Sequence, residues 1–335
     1  MLLTNPSAGV IIAIHGIWGI TSLMTFWPAN VKALRLCGND AEQGKVFGFF
    51  EGGRGVTNAA VYAVAAALFA AFFTAQSQMS GIREIIMLYS GIPIAMGIAN
   101  IFLLRGIDES SSTSTNSGID LKLVGKVLKD PKVWLMSLII LCAYTVNMGN
   151  YYIGSYTTAA FSMTALGAAV ISSSSQYIRP FAAGGAGIIA DKINASKVMM
   201  LGLLLSAIGL GIIYIAPEGG NVTIVLVGTV IVFISMFMTQ SMHFAMMGEH
   251  EFTPEATGTI IGIACTIGYL PEFFLAPMVG RILDTYQNSP EGYRMVFMIL
   301  IGFVVVGMFL TALWMKDTKV RRAEILAEKK AMVKA

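Results

Sequence analysis

Runs of about 20 apolar residues recur along the whole chain, and no other feature restricts its fold as strongly. Nine are visible, at roughly 9–30, 45–74, 84–105, 133–157, 165–190, 197–216, 222–246, 256–283 and 294–315. Each is about as long as a helix must be to cross a hydrocarbon core ~30 Å thick. Lipid offers no hydrogen bonds, so a lone apolar run must satisfy its own backbone, and the helix is the form that does so. Composition agrees: 56% hydrophobic and 12% charged residues, with 35 glycines in 335, lies outside the range of soluble domains. The expected fold class is an all-α membrane protein with nine candidate transmembrane helices.

Charge sorts these runs by side. One set of loops and ends carries Lys32, Arg35, Lys45, Arg105, Lys122, Lys126, Lys129, Lys132, Lys192 and Lys197, and the tail adds seven more Lys and Arg from Lys316 onward. The opposite loops carry only Arg83 and Arg294. Seventeen against two is a positive-inside signal that places the C-terminal tail in the cytoplasm and Met1 outside. The longest connection, 106–132, opens on the tract DESSSTSTNSG, a flexible-linker composition. Its second half sets Lys122, Lys126 and Lys129 opposite Leu121, Val124 and Leu128, as in a short amphipathic helix on the inner membrane surface. The chain thus divides into three runs (1–105), a cytoplasmic linker (106–132), six runs (133–315) and a cytoplasmic tail (316–335). Gly44-x-x-x-Gly48 and Gly258-x-x-x-Gly262 open two of the runs, a spacing common where helices pack closely.

Several function classes find no support. No basic patch is interleaved with aromatics, so no nucleic-acid partner is expected. Cys37, Cys142 and Cys265 are far apart and read as packing thiols. No nucleophile–base pair or metal cluster appears, so neither an enzyme nor a cofactor is expected.

Polar residues inside the runs fall on helical faces. Glu51, Arg54, Asn58 and Tyr62 share one; Tyr144, Asn147 and Tyr151 share a second, with Asn150 beside it; Ser172, Ser175 or Gln176, and Arg179 share a third. Arg179 is the most expensive of these. It stands 12 residues before Asp191, about 18 Å along a helix, and an ionised guanidinium in a bilayer costs from about 3 to over 10 kcal/mol. No acid sits three or four residues away in its own run. It needs a cavity, a partner on another helix, or an anionic ligand. Two guanidinium forks match carboxylate, phosphate or nitrate geometry, so Arg179 and Arg54, with Tyr144, Asn147, Tyr151 and Gln176, are the candidate binding residues.

Other readings stay open beside this one. Glu51 and Arg54, at i and i+3, either neutralise each other as a packing pair or face a ligand. Glu272 either takes up a proton or pairs with Arg54 or Arg179; Glu51 and Glu272 are the candidate proton-coupling residues. The four serines from Ser172 read first as helix-contact groups. His15 and His243 read as satisfied interface histidines, and Glu249, His250 and Glu251 as solvated.

The stretch GIIADKINASK, ending the second run after the linker, resembles the short loop pattern of the major facilitator superfamily, Gly-x-x-x-Asp-Arg/Lys followed by basic residues. Gly187, Asp191, Lys192 and Lys197 match, while Asn194 replaces a usual glycine. The stretch TFWPANVKALRLCGNDAEQGKVFGFFEGGRG resembles spans four and five of bacterial members related to organic-phosphate and nitrate permeases. The resemblance covers nearly the whole chain and implies spans 4–12 of a twelve-span fold, so that 1–105 is the remnant of an N-terminal bundle and the first three spans are lacking. It further implies a monomeric inner-membrane secondary transporter of a small, anionic organic solute, working by alternating access through proton coupling or proton-free exchange, with Gly187, Asp191 and Lys192 in a cytoplasmic gate. The alternatives are a transporter-like membrane sensor, or a truncated transporter without function.

Overall fold

Every regular element among the described residues is helical, as lipid solvation demands. The computed structural model describes residues 7–38, 40, 42–72, 78–103, 121–250, 252–253 and 256–334. The Ser/Thr tract, Arg105 and Glu251 lie outside them, as does the side chain of Arg83. Helix α1 (Ala8–Ile20) runs through a wide π-helical turn, Thr21–Phe26, into α2 (Trp27–Leu36). Then follow α3 (Gln43–Phe72), α4 (Gln78–Leu103), α5 (Leu121–Leu128), α6 (Pro131–Gly149), α7 (Tyr151–Phe161), α8 (Ala165–Ile193) and α9 (Ala195–Ile215). The remainder is α10 (Val222–Met242), a 3-10 turn at Ala245–Glu249, α11 (Thr257–Gly268), α12 (Pro271–Thr285), α13 (Pro290–Asp317) and α14 (Lys319–Lys334). The chain separates into two compact units, Met1–Thr21 with Thr57–Ile119, and Ser22–Val56 with Asp120–Ala335.

The count of nine spans is not reproduced as read. Among the described residues, five helical stretches are long and apolar enough to cross a membrane: α6, α9, α10, the α11–α12 pair and α13. The apolar stretches within α1 and α4 are shorter, Gly9–Gly19 and Tyr89–Ala99. Helix α8 is 29 residues long, but its serines, Gln176 and Arg179 dilute its apolar character. The run at 133–157 is two helices, because α6 stops at Gly149 and α7 restarts after Asn150. The run at 256–283 is likewise interrupted. Pro271 has no N–H to continue α11, and it serves instead as a first-turn residue of α12.

Two close helix crossings organise the second unit. Gly209 of α9 and Gly228 of α10 face each other, each so near that an added Cβ would lie 2.9 Å from the other's carbonyl oxygen. Between the same helices Ser206 and Ser235 share a buried 2.8 Å hydrogen bond. The other crossing joins α3 to α8. Gly44, Gly48, Gly52 and Gly55 recur along one face of α3, and a Cβ on Gly48 would lie 2.7 Å from the Gly187 Cα and 2.8 Å from the Ala183 carbonyl oxygen. Small residues let two backbones approach this closely. The four serines of α8 return their hydroxyls to carbonyls of the preceding turn, at 2.6–3.1 Å, so they need no outside partner.

Replacing Gly187 by Val should force α3 off α8. Overpacking of this kind costs about 1–3 kcal/mol, and the thermal midpoint in lipid nanodiscs should fall accordingly; Gly262→Val, where a Cβ meets nothing within 4 Å, should leave it unchanged.

Candidate functional site

The glycine face of α3 brings its next polar residues against α8. Glu51 lies one turn beyond Gly48, and Arg179 lies two turns before Gly187 on α8. The Glu51 carboxylate is buried and accepts from both arginines: Oε1 from Arg54 Nη1 at 2.7 Å, Oε2 from Arg179 Nη2. Arg179 is itself buried, at 5% exposure. Its guanidinium reaches Gln176 Oε1 at 3.4 Å and sits 5.1 Å from the Phe237 ring centroid of α10, while its Nε finds no partner among the described residues. Arg54 is partly exposed, and its guanidinium lies 4.7 Å over Trp27 and 5.7 Å over Phe50. Aromatic faces attract cations, the more so where water is thin.

From Trp27 the contacts continue through hydroxyl and ring groups. Trp27 Nε1 donates to the Tyr269 hydroxyl at 2.9 Å. The Tyr269 ring meets Tyr144 edge-on at 4.5 Å, and the Tyr144 hydroxyl donates to Glu272 Oε1 at 2.5 Å. Tyr269 and Glu272 flank the α11–α12 interruption, so the break that Pro271 causes is what delivers both groups to this side. Glu272 occupies the first turn of α12, where the helix dipole favours a carboxylate.

Most of the expected site residues therefore converge. Arg179, Arg54, Glu51 and Gln176 form one group; Tyr144 and Glu272 form a second, joined to the first through Tyr269 and Trp27. Glu272 does not pair with either arginine, because Glu51 already holds both. Asn147 is buried, and its backbone carbonyl accepts from the Asn150 side chain at the end of α6, a bond that leaves the Asn147 side-chain amide uncommitted. Tyr151 begins α7, directly after Asn150 at the end of α6, and is 65% exposed. Asp191 stands 3.5 Å from Lys45, the residue after Gly44, and Lys192 is exposed. Trp27, Phe237, Tyr269 and His243 were not expected in the site. A Trp beside a Pro and a Tyr beside a Leu-Pro break were the available signals. His243 proves to be the opposite of satisfied: it is enclosed, and among the described residues neither ring nitrogen has a hydrogen-bond partner.

A second polar cluster lies at the same end of the α3–α8 crossing as Asp191. Glu249 is buried, not solvated. It accepts from the Ser196 backbone N–H, at the start of α9, at 2.9 Å and from Trp314 Nε1 at 3.1 Å. A cavity of about 20 Å³, the size of one water, is lined by Asp40, Gln43, Asp191, Asn194, Glu249 and Ile325 among others. The last of these belongs to α14, whose Arg321 also reaches Asp40 at 3.4 Å.

The family model of the Major Facilitator Superfamily matches residues 1–274. The chain belongs to the Major Facilitator Superfamily. Two Escherichia coli K12 proteins resemble it along nearly its whole length: the inner membrane protein YihN, 28% identical over 333 residues, and the inner membrane protein YqcE, 24% identical over 331. Each alignment covers 97% of this chain, and 78% and 77% of the respective relative. Among solved structures, a bacterial homologue of the iron transporter ferroportin in its outward-facing state superposes with a TM-score of 0.56 at 12% identity, over 75% of this chain. That match spans 60% of the other chain's length, and at such low identity it speaks to the fold alone. Membership makes this a multi-pass protein of a membrane-transporter family.

Removing the shared carboxylate should be costly. Glu51→Ala leaves Arg179 buried without its counter-charge, worth about 3–5 kcal/mol, whereas Glu51→Gln combined with Arg179→Gln should recover most of the loss; thermal midpoints of the purified variants decide.

Burial raises the Glu249 carboxyl above the usual 4.5, against the opposing pull of the Ser196 and Trp314 donors. The folded state then holds this proton more tightly than the unfolded state. Stability from this group is present at low pH and lost as pH rises from the unfolded value through the raised folded one. A Glu249→Gln variant should show a flatter stability–pH curve above about pH 4.5 than the parent protein, read as the difference between their thermal midpoints.

Proposed function

We propose that the chain works as a secondary active transporter of a small organic anion, by alternating access around the Arg179–Glu51–Arg54 triad. One observation carries this reading. Two guanidiniums share a single carboxylate, which leaves a formal charge of about +1 in surroundings where unbalanced charge is expensive. A solute carboxylate, phosphate or sulfonate would balance that charge, and guanidinium forks suit each of them. The neighbouring rings of Trp27, Phe50, Tyr269 and Tyr144 would pack against the solute's body, as in ligand sites generally. Tyr144, Asn147, Tyr151 and Gln176 would orient it.

In this proposal 1–105 and 133–315 act as the two halves that move against each other, joined by the 106–132 linker, with a cytoplasmic tail from 316. Gly187, Asp191 and Lys192, with Lys45, form the gate at the cytoplasmic side of the α3–α8 crossing. A coupled proton keeps the cycle electroneutral, with Glu51 and Glu272 as the nearby carboxylates. A monomer in the inner membrane is the form proposed.

Proteoliposomes holding the protein should accumulate at least one of labelled gluconate, glucose 6-phosphate and lactate when the outside is acidified. Arg179→Gln and Arg179→Lys should each reduce that uptake more than tenfold, since neither replacement reproduces the two-pronged fork. Uptake at the parental rate in both variants would remove Arg179 from the site.

A further inference from the structure

His243 has no structural task that explains its position. It follows α10 directly, is 1% exposed, and among the described residues hydrogen-bonds through neither ring nitrogen. A neutral imidazole carries one N–H donor and one acceptor, and burying both unpaired is unfavourable. A packing role would be filled more cheaply by an apolar ring.

What surrounds the imidazole suggests its use. From α6, Tyr144 meets it edge-on at 6.4 Å; from the α11–α12 break, Tyr269 approaches at 6.4 Å. From α3, Phe47, one turn before Glu51, packs with its ring centroid 6.4 Å from that of Phe244, the residue after His243, which brings the Glu51 charge to bear on the imidazole. Glu51 is in turn held by Arg54 and Arg179, and Glu272 lies beyond Tyr144. In this arrangement both arginines claim Glu51, so its charge is already matched and is not free to pair with the imidazole.

We propose that His243 carries the coupled proton: a solute anion that takes over the arginines releases Glu51, and His243 accepts a proton from water to become Glu51's new partner. The charge count supports the exchange. The triad with neutral His243 sums to +1; adding one anion and one proton leaves +1, so both enter with no change in buried charge. Glu51 then acts as the counter-charge that links the two events, and the imidazolium gains a carboxylate for one of its two N–H groups. This inference rests on the anion-transport reading above.

The test does not need the solute. Protein labelled at histidine and held in lipid nanodiscs is titrated by NMR, with the His243 signal identified by its loss in His243→Gln. Arg54→Gln combined with Arg179→Gln frees Glu51, and should raise the His243 midpoint by about one pH unit or more, a tenfold gain in proton affinity. Adding Glu51→Gln to that pair should return the midpoint to the parental value. A midpoint that ignores the arginine changes, or that stays raised without the Glu51 charge, overturns the proposal. Should the multiple variants misassemble, shown by size-exclusion profile, the parental protein supplies the second measurement. Any of gluconate, glucose 6-phosphate or lactate that proves to be taken up should cause about one proton to be absorbed per anion bound, reported by a pH dye, and none in His243→Gln; equal proton uptake in that variant also overturns it. If none of the three anions is taken up, the transport reading fails, while the titration still decides whether Glu51 and His243 are linked.

Discussion

A guanidinium that cannot reach water must be compensated where it stands, and Glu51 does this for Arg179. Much of the surrounding structure can be traced to that requirement. The two side chains sit on different helices, so α3 and α8 must come close, and four glycines on α3 with Gly187 on α8 remove the side chains that would prevent it. Arg54, one turn further along α3, shares the same carboxylate. Its cation then settles over Trp27, and through Trp27 the triad is tied to Tyr269 and the interrupted α11–α12 pair.

The α3–α8 crossing also links the two polar clusters. Glu51–Arg179 and Lys45–Asp191 are both ion pairs between these two helices, one on each side of the Gly48–Gly187 contact. Packed cores are bistable more readily than they are continuously deformable. A parting of α3 from α8 would strain both pairs together. The enclosed Glu249, anchored by the first turn of α9 and by Trp314, lines the same small cavity as Gly44 and Asp191 beside this seam.

How much was legible in the sequence depended on the range of the interaction. Helical class followed from apolar run length, and the family from a loop whose residues are contiguous, Gly187 to Lys197. Arg179 was recognisable as a costly charge because depth along one helix is simple arithmetic. Span counting was less secure: Asn150 and Pro271 interrupt runs that hydropathy reads as continuous, and polar residues in α8 make a long helix look less like a span. Glu249 was misread for a related reason, since a charged residue in a short connection looks solvated until the folded helices close over it.

By itself the sequence determined that the chain must be helical and membrane-bound, because a backbone in lipid has to satisfy itself within each run, and it determined where the charges would be expensive. Only the tertiary structure decided what those charges meet. Glu51 had an arginine at i+3 and so appeared already paired; that it also neutralises a second arginine, 128 residues away, depends on the contact between two helices. No local periodicity encodes such a contact, because it arises from glycine faces that gain their meaning only when they touch. The same holds for His243: burial without partners is a property of everything packed around a side chain, not of the residues beside it in the chain.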